Sequence, residues 1–145
     1  ENAKIKSDFG FAKTSIPCFA DDSGICIKAL NFKPGIFSKR YLSKFKSNKD
    51  CFTKIINEVK KSGESSAFFK TSISLTIRLG ITICFEGIVR GKISNKVCGR
   101  NGFGYDPIFI PNGYSKTFAE MDIKTKNSIS HRSIAMHKLV NFITN

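Results

Sequence analysis

Two adjacent aspartates, Asp21 and Asp22, stand between apolar residues in the stretch CFADDSGICI. Neighbouring carboxylates are costly at a strand end unless a cation neutralises them, and Mg²⁺ does so with oxygen ligands while it binds substrate phosphates. A carboxylate in this setting could also deprotonate a water for attack on phosphorus. Ser23 and Gly24 add a hydroxyl and accessible backbone N–H groups. A plain Asp-Ser-Gly turn is the alternative interpretation.

A glycine-rich stretch, GFGYDP at residues 102–107, could hold a nucleobase. Its glycines would let backbone groups come close to a base that stacks on Phe103, and Asp106 could accept hydrogen bonds from the base or the sugar. The alternative is a turn before a strand, with Phe103 and Tyr105 packed in the core.

A third segment, KNSISHR at residues 126–132, groups Lys126, His131 and Arg132 around a predicted helix start. A helix N-terminus favours anions, and these side chains offer N–H donors to a ring carbonyl. Ordinary surface charge at a helix cap is the alternative. No Ser/His/Asp order or Cys/His pairing for covalent catalysis stands out, and His137 is interpreted as a surface residue.

The composition favours a polyanionic ligand. The 145 residues include 24 Lys+Arg and 11 Asp+Glu, a formal net charge of +13. Nucleic acid, phosphorylated small molecules and acidic surfaces are all compatible with this charge. The length predicts one domain, and the apolar runs are too short to span a membrane. Five scattered cysteines without a C-x-x-C pair predict reduced thiols, no zinc site and a cytoplasmic location.

The pattern of the first third of the chain predicts the elements around the aspartates. The residues up to about Gly10 are typical of a helix. Residues 16–30 are interpreted as two strands with a sharp bend at 22–24. A loop is expected over residues 31–43, because Pro34-Gly35 is a turn signal.

The middle of the chain predicts a helix followed by a hairpin. Residues 50–62 have helical spacing of apolar positions, with Asp50 as the N-cap and Gly63 as the stop. Apolar and polar residues then alternate over residues 73–85, which indicates strand. Because this run is long for one strand, a tight hairpin is predicted near 78–80.

The last third predicts the elements that carry the remaining candidate residues. A short strand is expected at residues 108–110, and an amphipathic helix at the C-terminus with Asn127 or Ser128 as its cap. Four residues of that helix are predicted to share one apolar face: Ile129, Ala135, Leu139 and Ile143. The mixed order of helices and strands predicts an α/β protein.

Together, these segments resemble the inosine triphosphate pyrophosphatase (ITPase) family. The matching stretches lie in the family's order over nearly the whole chain; they are ENAKIK, ADDSGICIKAL, PGIFSKRY, FEGIVRGKI, GRNGFGYDPIF and KNSISHR. The resemblance implies an α/β fold with a long mixed β-sheet, helices in two lobes and a central nucleotide-binding cleft. It also implies hydrolysis of the non-standard purine nucleotides ITP, dITP and XTP to the monophosphate and pyrophosphate with Mg²⁺, which clears deaminated nucleotides from the pool.

The resemblance assigns a role to each candidate residue. Asp22 would be the general base and a metal ligand, with Asp21 beside it as a second candidate ligand. Ser23 would contact the substrate, and Lys6 would face the phosphates. The nucleoside would be held by Phe103, which stacks on the base, and by Gly104, Tyr105 and Asp106, and the purine would be read by Lys126, His131 and Arg132. The implied partners are purine nucleoside triphosphates and a second copy in a homodimer, with no nucleic acid and no membrane.

The resemblance is incomplete in two places. Family members begin with a strand, a phosphate-binding loop of the type S/T-x-N-x-x-K and a metal-sharing glutamate. Residues 1–145 begin after these, so a single, N-terminally truncated ITPase-like domain is expected. Ser65 stands where the family has arginine. The alternative function is a truncated or decayed member without catalysis, which binds only nucleotide or a partner subunit.

Overall fold

The computed structural model describes residues 1–145 and contains one five-stranded sheet. Its strands are β1 (Cys18–Ile27), β2 (Lys33–Gly35), β3 (Ser66–Arg78), β4 (Ile81–Ile93) and β5 (Phe109–Pro111), in the order β2-β1-β3-β4-β5. The helices are α1 (Asn2–Thr14), α2 (Ser38–Leu42), α3 (Asn48–Ser62), α4 (Ile123–Ile129) and α5 (His131–Thr144). The predicted α/β class is confirmed. The predicted mixed sheet is corrected for these residues, because each strand runs opposite to its neighbour and all four pairings are antiparallel.

The long hairpin of β3 and β4 forms the centre of the sheet. Its turn at Leu79-Gly80 confirms the predicted hairpin, and Gly80 adopts φ 79°, which is the left-handed region that glycine tolerates. Strand β3 begins at Ser66, earlier than the alternation predicts, because Ser66 pairs with β4 and residues 67–72 pair with both β1 and β4.

Side-chain alternation along the strands divides the sheet into two faces. One face carries Ile25, Phe69 and Ile73, which are buried against α3 and α5. The opposite face is covered by α1, where the Ser7 hydroxyl lies 2.9 Å from the Thr76 hydroxyl. Residues of β1 at odd positions therefore face α5, and those at even positions face α1.

A polar cluster fixes α1 on its face of the sheet. The Asp8 carboxylate accepts hydrogen bonds from Thr76 at 2.6 Å and Thr82 at 2.9 Å and also pairs with Lys4. The Lys4 ammonium first, and then the two threonine hydroxyls, lower the pKa of Asp8 to about 2. Because α1 is held in this way, the side chains of its first two turns are aimed at the middle of β1.

Helix α1 continues beyond the predicted closure near Gly10. It ends at Thr14, where Ser15 takes the left-handed φ of 56°. A Cβ at position 10 would lie 3.2 Å from the Cys18 side chain, so the glycine allows the helix to pass close to β1 and does not end it.

Strand β1 corrects the prediction of two strands with a bend at 22–24. All ten of its residues pair with β3, from Cys18 opposite Thr76 to Ile27 opposite Ala67. A Cβ at Gly24 would overlap the backbone carbonyl of Gly35, so this glycine permits close approach of β2 and is not part of a turn. The predicted loop at 31–43 contains β2 and α2.

The capping predictions are partly wrong. Ser47, not Asp50, caps α3 and accepts from the Asp50 N–H at 3.1 Å, whereas the stop at Gly63 is confirmed by its φ of 70°. The short strand predicted at 108–110 is found one residue later, as β5.

The C-terminal region forms two helices where one was predicted. Ser130 is extended and its hydroxyl accepts from the Ser133 N–H at 3.2 Å, so it caps α5 in place of Asn127 or Ser128. The predicted apolar face is correct at Ala135 and Leu139, which are buried, and wrong at Ile143, which is exposed. None of the helices is long and apolar enough to cross a membrane.

Candidate active site

A cavity of about 480 Å³ brings together ten of the eleven residues predicted from the sequence. It is bounded by β1, α2, the loop at 101–105 and the start of α5. The predicted residues in its wall are Lys6, Asp21, Asp22, Ser23, Phe103, Gly104, Tyr105, Asp106, His131 and Arg132. The eleventh, Lys126, contacts two of them from behind the wall. The volume is within the range of small-molecule sites.

Asp22 lies at one end of the cavity and faces α1. Its carboxylate accepts from the Lys6 ammonium at 3.0 Å and from the Asn2 amide at 3.3 Å. Lys6 also donates to the Asp21 backbone carbonyl at 2.9 Å. Because both donors come from the helix that Asp8 anchors, the carboxylate is held in place but its side chain keeps access to solvent.

Asp21 lies on the opposite face of β1, toward α5. Its carboxylate oxygen Oδ2 is 3.0 Å from Nη2 and 3.2 Å from Nε of Arg132. Ser23 shares this face: its hydroxyl is 2.7 Å from the buried Thr71 hydroxyl and 3.5 Å from Arg132 Nη2. The two aspartates therefore have separate partners and do not form one carboxylate pair.

The loop at 101–105 places Phe103 at the mouth of the cavity. Phe103 is 62% exposed, and its ring has the Lys126 ammonium at 4.5 Å and the Arg132 guanidinium at 5.3 Å from the centroid. An exposed aromatic ring with two cations nearby is a stacking surface for a planar, electron-rich group.

Asp106 fixes the conformation of this loop. It is buried, and its carboxylate accepts from the Phe103 N–H at 2.8 Å and forms an ion pair with Lys126. Gly102 has φ 74°, and a Cβ there would overlap the Asp106 carboxylate. The described partners of Asp106 are thus protein groups that position the loop and Lys126.

Tyr105 belongs mainly to the core. It is 3% exposed, packs against Phe52, and its hydroxyl donates to the Ser38 carbonyl at 2.7 Å. Burial raises the pKa of the Tyr105 phenol. The alternative interpretation, in which Phe103 and Tyr105 pack in the core, is therefore correct for Tyr105. Phe103 instead has the exposure that base stacking needs.

His131 lies in the inner wall of the cavity as the first residue of α5. It is 6% exposed, its ring stacks on Phe69 with centroids 4.6 Å apart, and its Nδ1 has no hydrogen-bond partner. Burial first, and then the charge of Arg132, lower the pKa of His131 to about 4. The imidazole is therefore neutral near pH 7, with one nitrogen as donor and one as acceptor.

Four residues of the site were missed from the sequence: Asn2, Ser38, Phe69 and Thr71. Phe69 stacks on His131, Thr71 supports Ser23, and Ser38 bonds both the Ile25 N–H and the Tyr105 hydroxyl. Phe69 and Thr71 lie outside the quoted motifs. The available signals were for Asn2 and Ser38, which lie within the quoted motifs ENAKIK and PGIFSKRY.

The residues near Asp22 are compatible with Mg²⁺. No group of three or more His, Cys, Asp or Glu side chains lies close enough to hold a metal. In nucleotide sites, however, Mg²⁺ commonly takes one or two carboxylates and completes its shell with phosphate oxygens and water. The single Asp22 carboxylate, which opens on the cavity, fits that donor set.

The fold and the cavity together define an α/β protein with a cleft suited to a nucleoside polyphosphate. One end offers a carboxylate and an ammonium group. The other offers an exposed aromatic ring, a guanidinium and a neutral imidazole.

Comparisons with known proteins identify the family. The model described as the Ham1 family matches residues 1–142, and the chain belongs to that family. It is 41% identical to a dITP/XTP pyrophosphatase from Flavobacterium johnsoniae, over 99% of this chain and 74% of that protein. A protein of the same name from Christiangramia forsetii is 40% identical, over 99% and 75%.

Solved structures agree with this assignment. The structure of a HAM1 protein from Coxiella burnetii superposes with a TM-score of 0.91 at 37% identity and covers 99% of this chain and 75% of that one. The Staphylococcus aureus Ham1 protein gives a TM-score of 0.90 at 37% identity, over 99% and 74%. The resemblance inferred from the sequence motifs is thereby confirmed.

Proposed function

We propose that this protein hydrolyses the non-standard purine nucleoside triphosphates ITP, dITP and XTP to the monophosphate and pyrophosphate. The relatives named dITP/XTP pyrophosphatase support this activity, since they match 99% of the chain at about 40% identity. The observation that carries the proposal is the two-ended cleft. Asp22 with Lys6 lies at one end, and His131 with Arg132 lies at the other.

The base-reading end favours a 6-keto purine. Deamination replaces the 6-amino donor of adenine with a keto acceptor, and the Arg132 guanidinium can only donate. Adenine would present a donor to that donor and leave it unpaired, at a cost of roughly 1–3 kcal/mol for each buried group. Neutral His131 adds one further donor, and Phe103 provides the stacking surface.

The residues at the phosphate end of the cleft, Asp22 and Lys6, promote the hydrolysis. Asp22 takes a proton from a water whose oxygen attacks phosphorus at the α–β anhydride, and the bond to the bridging oxygen breaks to release pyrophosphate. Lys6, which is 3.0 Å from Asp22, carries a positive charge that attracts the phosphates. When bound with the nucleotide, Mg²⁺ would neutralise phosphate charge with Asp22 as its protein ligand. We include Asp22 alone as that ligand, because Asp21 is engaged on the other face.

Pyrophosphate release tests the proposal directly. The protein is incubated with ITP, dITP, XTP and ATP in the presence of Mg²⁺, and pyrophosphate is measured for each. Turnover of the first three well above that of ATP is expected. Folded protein that binds ITP without turnover would support the binding-only alternative instead.

Two properties implied by the resemblance remain predictions. A homodimer is tested by sedimentation velocity, in which a monomer mass across the accessible concentration range would contradict it. A cytoplasmic location is tested by fractionation of the source cells.

A further inference from the structure

The first carboxylate of the ADDSG motif has no part in the hydrolysis described above. The Asp21 side chain faces α5, on the side of β1 away from the Lys6 ammonium, and its carboxylate bonds to a single side chain, Arg132. One oxygen, Oδ2, meets both Nε and Nη2 of the guanidinium. Because the two contacts involve neighbouring nitrogens, they restrict the rotation of the group as well as its distance.

The remaining contacts of Arg132 complete its orientation. Ser23, two residues after Asp21 on the same face, reaches Nη2 at 3.5 Å and is itself held by buried Thr71. The Phe103 ring lies 5.3 Å from the guanidinium carbon. The hydrogen bonds of Arg132 to the protein use Nε and Nη2, which leaves the donors of Nη1 available to a ligand in the cavity that this side chain lines.

We propose that Asp21 is a positioning residue that orients the Arg132 guanidinium and thereby sets the preference for 6-keto purines over adenine. This inference rests on the proposed function, because it concerns how the same cleft selects its substrate. Asp21 and Asp22 are consecutive on one strand, so a single rigid element links base selection on one face to water activation on the other.

The test is a double-mutant cycle with Asp21→Asn and Arg132→Ala, read as kcat and KM for ITP and for ATP. Asparagine keeps the size of the side chain and removes its charge. We expect Asp21→Asn to lower kcat/KM for ITP about tenfold, by an increase in KM. The kcat/KM for ATP should stay within about twofold of that of the unaltered protein. In the Arg132→Ala background, Asp21→Asn should cause no further decrease in kcat/KM for ITP, because the guanidinium that Asp21 orients is absent.

Other outcomes would overturn the proposal. A fall in kcat with a higher Mg²⁺ requirement would make Asp21 a metal ligand. Equal losses for ITP and ATP, or losses that add in the double variant, would reduce it to a structural residue. If the unaltered protein does not turn over ITP, the proposed function fails on its own. In that case, calorimetry measures the Kd of each variant for ITP and for ATP. An unchanged preference for ITP in Asp21→Asn would still refute the positioning role.

Discussion

At the scale of single residues, the two adjacent aspartates have different partners because a strand alternates its side chains. Asp22 pairs with Lys6 from α1, and Asp21 pairs with Arg132 from α5. Each carboxylate is therefore compensated by its own cation, and the chain tolerates both next to a buried strand. The same alternation gives one strand contact with both ends of the cleft.

Replacement of Asp22 tests its role as the base. We expect Asp22→Asn to lower kcat for ITP by about 10²–10⁴, because the amide cannot accept a proton from water. Circular dichroism should show an unchanged fold. Asp50→Asn, at an exposed position in the first turn of α3, is the matched control and should leave kcat unchanged. Near-normal turnover in Asp22→Asn would contradict the assignment of Asp22 as the general base.

Replacement of Arg132 tests base reading. Arg132→Ala should reduce kcat/KM for ITP by about tenfold or more and that for ATP much less, because the 6-keto oxygen accepts from the guanidinium and the 6-amino group of adenine does not. The measurement is kcat/KM for both nucleotides under the same Mg²⁺ concentration. Equal losses for the two would remove Arg132 from base recognition.

At the scale of elements, the start of α5 is placed by its contact with β4. Gly87 faces this helix, and a Cβ there would overlap the backbone carbonyl of His131 and crowd the Ala135 nitrogen. We expect Gly87→Ala to lower the free energy of unfolding by about 1–3 kcal/mol, because rigid backbone must move. It should also raise KM for ITP, since His131 and Arg132 move with the helix. Urea denaturation and steady-state kinetics measure the two effects.

Gly80→Ala on the same hairpin separates stability from recognition. Its φ of 79° makes alanine strained, at a cost of about 1 kcal/mol or more, but nothing lies within 4 Å of the added Cβ. The control should lose stability and keep its KM for ITP. An unchanged KM in Gly87→Ala would show that helix placement does not control base recognition.

At the scale of the whole molecule, the burial of His131 makes stability depend on pH. The folded pKa of about 4 lies below the ordinary histidine pKa of about 6.5, so the unfolded chain binds more protons between these values. Stability is fully present above the unfolded pKa and falls as the pH drops through this window. We expect a loss of about 2 kcal/mol in unfolding free energy between about pH 7 and pH 5, measured by urea denaturation.

The second histidine provides the control for that loss. His137 is exposed on α5, so His137→Gln should keep the full pH dependence. His131→Gln should reduce the dependence of the unfolding free energy on pH. His131→Phe, which preserves stacking on Phe69, replaces it in the measurement if His131→Gln is too unstable. The same slope in all variants would mean that other groups titrate in this range.

Periodicity and motif predicted much of the fold correctly. The β3–β4 hairpin, the stop of α3 at Gly63 and the α/β class follow from local signals that the structure keeps. The errors fall where tertiary contacts override local preference. Gly24 is a turn residue by local chemistry, but close approach of β2 keeps it in a strand. Ser130, which was not predicted to be a cap, ends one helix and begins the next.

The sequence by itself predicted the side chains that give the cavity its chemistry, because ADDSG, GFGYDP and SHR carry that chemistry in the residue types. It did not predict the supporting residues Asn2, Ser38, Phe69 and Thr71. It could not determine what each side chain contacts. That Asp21 meets Arg132, 111 positions away, and that His131 is buried and neutral against Phe69, were decided only by the tertiary structure. The physical reason is that pairing and burial depend on which faces of distant elements meet, and no short window of sequence records that.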